Sequence, residues 1–115
     1  MLRILLVEDN RDDADLVRFA LEDAGLEFEL LRVGDEAALR QAVASFAPDA
    51  AACDLNLPGY SGLAALALLR ELRPGMPLVL MTGGGVDCVP PVAATVLDKS
   101  DLARLPALLQ GHAPR

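Results

Sequence analysis

Five acidic, hydroxyl or basic side chains that could take part in chemistry stand where short apolar runs of this sequence end. Glu8 and Asp9 follow the first run, and Asp54 follows a run of small apolar residues. Thr82 and Lys99 come at the ends of two later runs. In an open α/β sheet, ligands bind at the edge where the strands end. We therefore expect these positions to converge around Asp54.

The residue types at these positions suit phosphoryl transfer to a carboxylate. Three carboxylates at one edge repel one another unless a cation neutralises them, and oxygen ligands at this density suit Mg²⁺. Lys99 supplies a positive point charge for an anion, and Thr82 supplies a hydroxyl. Gly83 leaves a backbone N–H accessible. Together these groups can surround a phosphorylated Asp54.

Taken singly, each of these side chains has a simpler interpretation. Acidic residues at strand ends are usually solvated loop residues. A threonine hydroxyl such as that of Thr82 more often bonds to backbone, and a lysine such as Lys99 more often faces solvent. Only the order and spacing of all these positions together make the chemical interpretation specific.

Short apolar runs alternate with amphipathic segments along most of the chain. This pattern predicts βαβ units, and hence a parallel sheet with helices on both faces. The expected strands are Arg3–Val7, Glu27–Val33, Ala50–Cys53, Pro77–Met81 and Ala94–Leu97.

Helix boundaries are marked by capping residues, glycines and prolines. Gly25 is expected to end the first helix, and Pro106 predicts a kink or a short final helix within Asp101–Gln110. The expected N-terminal caps are Asp12 or Asp13, Asp35, Ser61 or Gly62, and Ser100.

The interval between Thr82 and Lys99 breaks the alternation. It contains three successive glycines and a Pro-Pro pair. These residues disfavour a helix, so we expect a loop or at most a single turn there.

Composition limits the classes of function. The chain has 115 residues, a net charge of −7 and 53% hydrophobic residues, which suits one folded domain. The acidity argues against direct binding to nucleic acid or to an anionic membrane. No apolar run is long enough to cross a bilayer, and two cysteines form no disulfide framework. We expect a cytoplasmic protein.

With these residues in view, the chain resembles the receiver domain of two-component response regulators over almost its whole length. The motifs that carry the resemblance are Val7-Glu8-Asp9, Asp54-Leu55-Asn56-Leu57-Pro58-Gly59 with Gly62, Met81-Thr82-Gly83, and Lys99.

The resemblance implies a doubly wound, five-stranded parallel sheet of order 2-1-3-4-5, with residues 1–111 as the receiver domain and 112–115 as a tail. It implies that Asp54 accepts a phosphoryl group from a histidine kinase or a histidine phosphotransfer protein. Thr82, Gly83 and Lys99 would bind the phosphoryl oxygens. The domain would catalyse only its own phosphorylation and dephosphorylation. The implied Mg²⁺ ligands are Glu8, Asp9, Asp54 and the backbone carbonyl of Asn56.

The sequence also departs from the family pattern. Receiver domains usually carry a fourth helix between Thr82 and Lys99, and here that interval is about five residues short, more than one helical turn. The aromatic residue usual three positions before the lysine is replaced by Val96, and the usual Lys-Pro is Lys99-Ser100. We therefore expect the usual dimer through the fourth helix to be absent or altered.

Two other functions are compatible with parts of this pattern. A phosphorylation-independent interaction module could keep the fold while losing the switch features. A phosphatase of the haloacid dehalogenase type also uses an aspartate at a strand end, but it requires a second aspartate at the position that Asn56 occupies.

Overall fold

The computed structural model describes residues 1–55, 60–83, 92 and 94–111. Asn56, whose carbonyl is a predicted metal ligand, lies outside the described residues, and so does the predicted tail 112–115.

Five parallel strands form one sheet in the order β2-β1-β3-β4-β5, as the resemblance implied. Neighbouring strands pair in parallel, and their last residues lie at nearly the same level: Val7 is opposite Cys53, Asp54 is opposite Met81, and Thr82 is opposite Asp98. The carboxyl ends of β1, β3, β4 and β5 therefore meet at one edge. The strands are β1 (Leu2–Val7), β2 (Phe28–Val33), β3 (Ala50–Asp54), β4 (Leu78–Thr82) and β5 (Thr95–Asp98).

Four α-helices and one 3₁₀ helix occur in the described part of the chain. None of these helices combines the length and apolar character that a membrane span requires. They are α1 (Arg11–Asp23), α2 (Glu36–Ser45), α3 (Gly62–Leu72), the 3₁₀ helix Lys99–Arg104, and α4 (Leu105–Leu109).

Two apolar layers cover the two faces of the sheet. On one face, α1 and α4 pack through residues such as Leu21 and Leu109 against alternate positions of the strands. On the other face, α2 and α3 pack through residues such as Leu39 and Leu66. Every residue of β3 is buried because helices cover both of its faces. This arrangement confirms the doubly wound fold.

The caps of α2 and α3 confirm two predictions, whereas two other predicted caps were wrong. Asp35 accepts from the N–H of Ala38, and Ser61 accepts from the N–H of Ala64. The cap of α1 is Asn10, whose side chain accepts from the N–H groups of Asp12 and Asp13. Because α1 begins at Arg11, shortly after β1 ends at Val7, both aspartates lie inside its first turn.

The last helical segment begins differently from the prediction. Asp98, and not Ser100, provides the cap, and its carboxylate accepts from the Ser100 N–H at 2.9 Å. A 3₁₀ helix follows, and Pro106 lies in the first turn of the five-residue helix α4. Proline suits that turn because the first N–H groups of a helix need no intrahelical partner. The prediction of a kink or a short helix at Pro106 is confirmed.

No helix separates β4 from β5 within the described residues. Of this interval, Gly83, Val92 and Ala94 are described, and none of them is helical. The prediction of a shortened or absent fourth helix is confirmed for these positions, while residues 84–91 and 93 lie outside the described part.

Candidate functional site

The sheet brings the predicted acidic, hydroxyl and basic side chains to one edge. Glu8 directly follows β1, Asp54 ends β3, Thr82 ends β4, and Lys99 directly follows β5. Glu8, Asp54 and Thr82 are each at most 3% exposed. Polar groups are rarely buried so completely without a partner or a function. Gly83 follows Thr82 at the surface of the same edge.

Lys99 forms the centre of an ion-pair cluster. Its Nζ lies 3.2 Å from Asp54 Oδ2 and 3.4 Å from Glu8 Oε2. A third carboxylate, that of Asp13, lies nearest, with its Oδ2 at 2.8 Å. An ammonium group has three hydrogens to donate, so three carboxylates match its capacity.

Backbone hydrogen bonds constrain the Glu8 carboxylate and the main chain beside Asp54. Glu8 Oε1 accepts from the N–H of Asn10 at 3.0 Å, which leaves Oε2 directed at Lys99. The N–H of Leu55, next to Asp54, donates to the carbonyl of Met81 in β4 at 2.9 Å. The Glu8 carboxylate is therefore oriented by a backbone N–H, and Asp54 is carried by main chain that is paired within the sheet.

A glycine allows the helix after Asp54 to approach its backbone. A Cβ on Gly62 would lie 2.8 Å from Leu55 Cα and 2.9 Å from the carbonyl carbon of Asp54, closer than real Cβ atoms pack. Gly62 is the first residue of α3. The absence of its side chain thus sets the distance between α3 and the end of β3.

Burial and neighbouring charge perturb the titration of Glu8. Its pKa is raised from 4.5 to about 7, mainly by burial and further by its hydrogen bond to Asp54 and the charge of Asp54. The N–H of Asn10 and the charge of Lys99 act in the opposite direction. The pKa of Lys99 is raised, because its bond to Asp13 and the charges of Glu8 and Asp54 outweigh its own desolvation.

The structure brings Asp13 into the cluster in place of Asp9. Oxygens of Glu8, Asp13 and Asp54 all lie within 4.8 Å of one another. Asp9 is exposed, and its backbone carbonyl accepts from Arg32 Nη1 at 3.3 Å. The cluster of Glu8, Asp13 and Asp54 does not include Asp9, and the role of Asp9 as a metal ligand stays a prediction.

Sequence reasoning assigned Asp13 only to a helix cap and missed its contact with Lys99. The signal that could have found it is its place in the helix. Asp13 is the third residue of α1, which begins three residues after Glu8 at the carboxyl edge of β1. A side chain in that first turn can reach the groups that follow the neighbouring strands.

The donor set of this cluster fits a divalent cation. Three carboxylates against one ammonium leave an excess of negative charge in a largely buried place. Hard oxygen donors are the ligands that Mg²⁺ prefers. Burial and the neighbouring Asp54 carboxylate raise the pKa of Glu8, and a cation at this place would oppose both effects. The cluster could therefore bind a metal ion.

Comparison with known proteins shows the family. Residues 4–100 match the family model of the response regulator receiver domain. The phosphate regulon transcriptional regulatory protein PhoB of Rhizobium meliloti is 35% identical over 86 residues, which are 72% of this chain. The chain belongs to the response regulator receiver domain family, and it is a receiver domain of the two-component type. It spans only 37% of the length of PhoB.

Solved structures agree with this assignment. The receiver domain (CheY-like) from Methylobacillus flagellatus is 28% identical, covers 98% of this chain and 99% of its own, and has a TM-score of 0.78. The Mn²⁺-bound form of response regulator Rcp1 is 25% identical, covers 96% of this chain and 91% of its own, and has a TM-score of 0.69.

Proposed function

We propose that this receiver domain accepts a phosphoryl group on Asp54. The observation that supports this most directly is the Asp54 carboxylate itself, buried at the carboxyl edge and 3.2 Å from Lys99 Nζ. A carboxylate with an adjacent cation is a nucleophile whose product, an acyl phosphate dianion, meets positive charge where it forms.

The chain's own residues supply the binding of the phosphoryl oxygens. The ammonium of Lys99 neutralises their charge, and the hydroxyl of Thr82 and the N–H of Gly83 can donate to them. Thr82 ends β4, Gly83 follows it, and Lys99 follows β5, so all three lie at the edge of the sheet where β3 ends in Asp54.

Mg²⁺ would be held by the acidic cluster around Asp54. Glu8 and Asp54 are its proposed ligands, with Asp9 and the carbonyl of Asn56 added by the family resemblance. When bound, the metal supplies positive charge to the transferring phosphoryl group. This fits the Mn²⁺-bound state of the related Rcp1.

The donor in the proposed reaction is a phosphohistidine of a histidine kinase or a histidine phosphotransfer protein. The P–N bond to the imidazole breaks while a P–O bond to Asp54 forms, and the imidazole nitrogen recovers its electron pair. Hydrolysis then breaks the P–O bond by attack of water, which releases inorganic phosphate and restores the carboxylate. The domain would thus catalyse only its own phosphorylation and dephosphorylation.

The wider setting is proposed from composition and family. The net charge of −7 disfavours direct contact of this domain with nucleic acid or an anionic membrane. A cytoplasmic location agrees with a partner that is a histidine kinase or its phosphotransfer protein. Receiver domains usually dimerise through a helix that lies between the positions of Thr82 and Lys99. We do not expect that dimer here, because this interval is short and rich in glycine and proline.

Phosphorylation by a small donor tests the proposal. Incubation with acetyl phosphate and Mg²⁺ should retard the wild-type chain on a gel that retains phosphoproteins. Asp54→Asn should abolish the shift while leaving the circular dichroism spectrum and the melting temperature close to those of the wild type. Labelling of Asp54→Asn at the wild-type rate would show that another residue is the acceptor. Absence of labelling in both proteins would favour a phosphorylation-independent interaction module.

A further inference from the structure

We propose that Asp13 restrains Lys99 in the unphosphorylated protein and competes with the phosphoryl group for the Lys99 ammonium. This inference rests on the proposed phosphorylation of Asp54 and assigns a positioning residue to that reaction.

The geometry of Lys99 favours Asp13 over the other carboxylates. The contact of Lys99 Nζ with Asp13 is 2.8 Å, against 3.2 Å for Asp54 and 3.4 Å for Glu8. Short distances between charged donors and acceptors mark the stronger hydrogen bonds. Asp13 therefore holds the ammonium more closely than the phosphoacceptor does.

The position of Asp13 is fixed by the helix that carries it. Asn10 caps α1 by accepting from the N–H groups of Asp12 at 2.8 Å and Asp13 at 3.2 Å. The next turns of α1 pack against the sheet through Ala14, Val17 and Leu21. The Asp13 carboxylate thus belongs to a packed helix, whereas the side chain of Lys99 is long and can redirect its ammonium.

Competition follows from the number of donors on Lys99. Its three hydrogens face three carboxylates, so a phosphoryl oxygen can gain one only by displacing a partner. Glu8 and Asp54 are the proposed metal ligands, and a divalent cation can replace Lys99 as their counter-charge. The contact with Asp13 is then the one that must weaken for Lys99 to turn fully towards the phosphoryl group.

The expected size of this effect is moderate. The side chains of Lys99 and Asp13 are 24% and 35% exposed, so solvent screens their attraction in part. Partly exposed ion pairs of this kind correspond to roughly a two- to fivefold change in a competing equilibrium. Removal of the Asp13 charge should therefore strengthen binding of a phosphoryl mimic by about that factor.

The test compares Asp13→Asn with Asp12→Asn as the matched control. Asp12 is the preceding residue in the same first helical turn, is exposed, and loses the same charge on substitution. The apparent Kd for beryllofluoride is measured by NMR amide shifts at saturating Mg²⁺. The ¹⁵N resonance of Lys99 Nζ is recorded before beryllofluoride is added, and thermal melts show that both variants are folded.

The inference expects Asp13→Asn to bind beryllofluoride about two- to fivefold more tightly than Asp12→Asn, with a displaced Nζ resonance of Lys99. Equal Kd values in the two variants would overturn it and would leave the proposed function intact. Tighter binding without a displaced Nζ resonance would overturn it too, because simple repulsion between Asp13 and the anion would then suffice.

Two further outcomes have different consequences. Weaker binding of both Mg²⁺ and beryllofluoride by Asp13→Asn would make Asp13 a metal ligand and would overturn its role as a restraint. Absence of beryllofluoride binding by the wild type and by both variants would overturn the proposed phosphorylation of Asp54, and this inference with it.

Discussion

At the scale of one residue, the buried carboxylate of Glu8 is costly to ionise in the folded protein. Its side chain is 1% exposed and one of its oxygens accepts a backbone N–H, while the other faces Lys99. Burial and the nearby Asp54 raise its pKa to about 7. A proton or a cation is therefore favoured at this place at neutral pH.

The folded protein should be destabilised by the ionisation of Glu8. Between pH 4.5 and about 7 the folded state holds a proton that the unfolded chain releases, so the stabilisation is complete at low pH and is lost as the pH rises through 7. In the absence of metal, Glu8→Gln should exceed the wild type in unfolding free energy by a margin that grows from pH 5 to pH 8. The pKa difference corresponds to a margin on the order of 3 kcal/mol.

Urea denaturation of both proteins at pH 5, 6, 7 and 8 measures this margin. Mg²⁺ should reduce it at pH 8, because the cation replaces the proton only in the wild type. A margin that stays constant over this pH range would contradict the raised pKa of Glu8. A margin that is insensitive to Mg²⁺ would contradict its role as a metal ligand.

At the scale of elements, the junction of β3 and α3 determines where Asp54 lies. Ser61 caps α3, and Gly62 allows its first turn to contact the backbone of Asp54 and Leu55. A strand end and a helix start are thus packed directly against each other at the proposed acceptor. Side-chain volume at residue 62 is therefore coupled to the position of the Asp54 carboxylate.

Gly62→Ala should destabilise the fold and impair phosphorylation of Asp54. Overpacking costs about 1–3 kcal/mol, and the gain in helix propensity from alanine, below about 1 kcal/mol, does not offset it. Urea denaturation measures the first effect and labelling by acetyl phosphate at a temperature where the variant is folded measures the second. Gly34→Ala is the control for stability, because its Cβ would meet Asp9 Cβ at an ordinary 3.6 Å. Equal stability of the two variants would show that α3 can shift without cost.

At the scale of the whole molecule, the site joins elements that are distant in sequence. Lys99 after β5 contacts Glu8 after β1 and Asp13 in α1, which are 91 and 86 positions away along the chain. These contacts cross the sheet edge from β5 to β1 above the ends of β3 and β4. A ligand at Asp54 therefore contacts several elements at once and should stabilise the entire domain.

Beryllofluoride with Mg²⁺ should raise the melting temperature of the wild type far more than either component alone. A ligand at one hundred times its Kd stabilises by about 2.7 kcal/mol, which is on the order of 10 °C for a domain of this size. Differential scanning fluorimetry measures the shift. Asp54→Asn should lose the combined effect, and a full shift in that variant would place the ligand elsewhere.

Much of this architecture follows from local features of the sequence. The parallel strands could be predicted because short apolar runs, such as that within Arg3–Val7, are typical of strands covered on both faces. The caps at Asp35 and Ser61 were predicted correctly because one side chain and one nearby N–H decide them. The cap of α1 was predicted wrongly. Asn10, Asp12 and Asp13 are all residues that favour a cap, and the short connection from β1 makes Asn10 the one that is used.

By itself, the sequence determined the class of fold and most of the residues at the site: the ends of apolar runs place Glu8, Asp54, Thr82 and Lys99 at the edge where parallel strands finish. The tertiary structure decided which carboxylates meet the lysine. Asp9 and Asp13 are equally acidic in the sequence, yet only Asp13 reaches Lys99, at 2.8 Å. The physical reason is that an ion pair depends on direction and distance across elements, and these are set by the docking of α1 against the sheet.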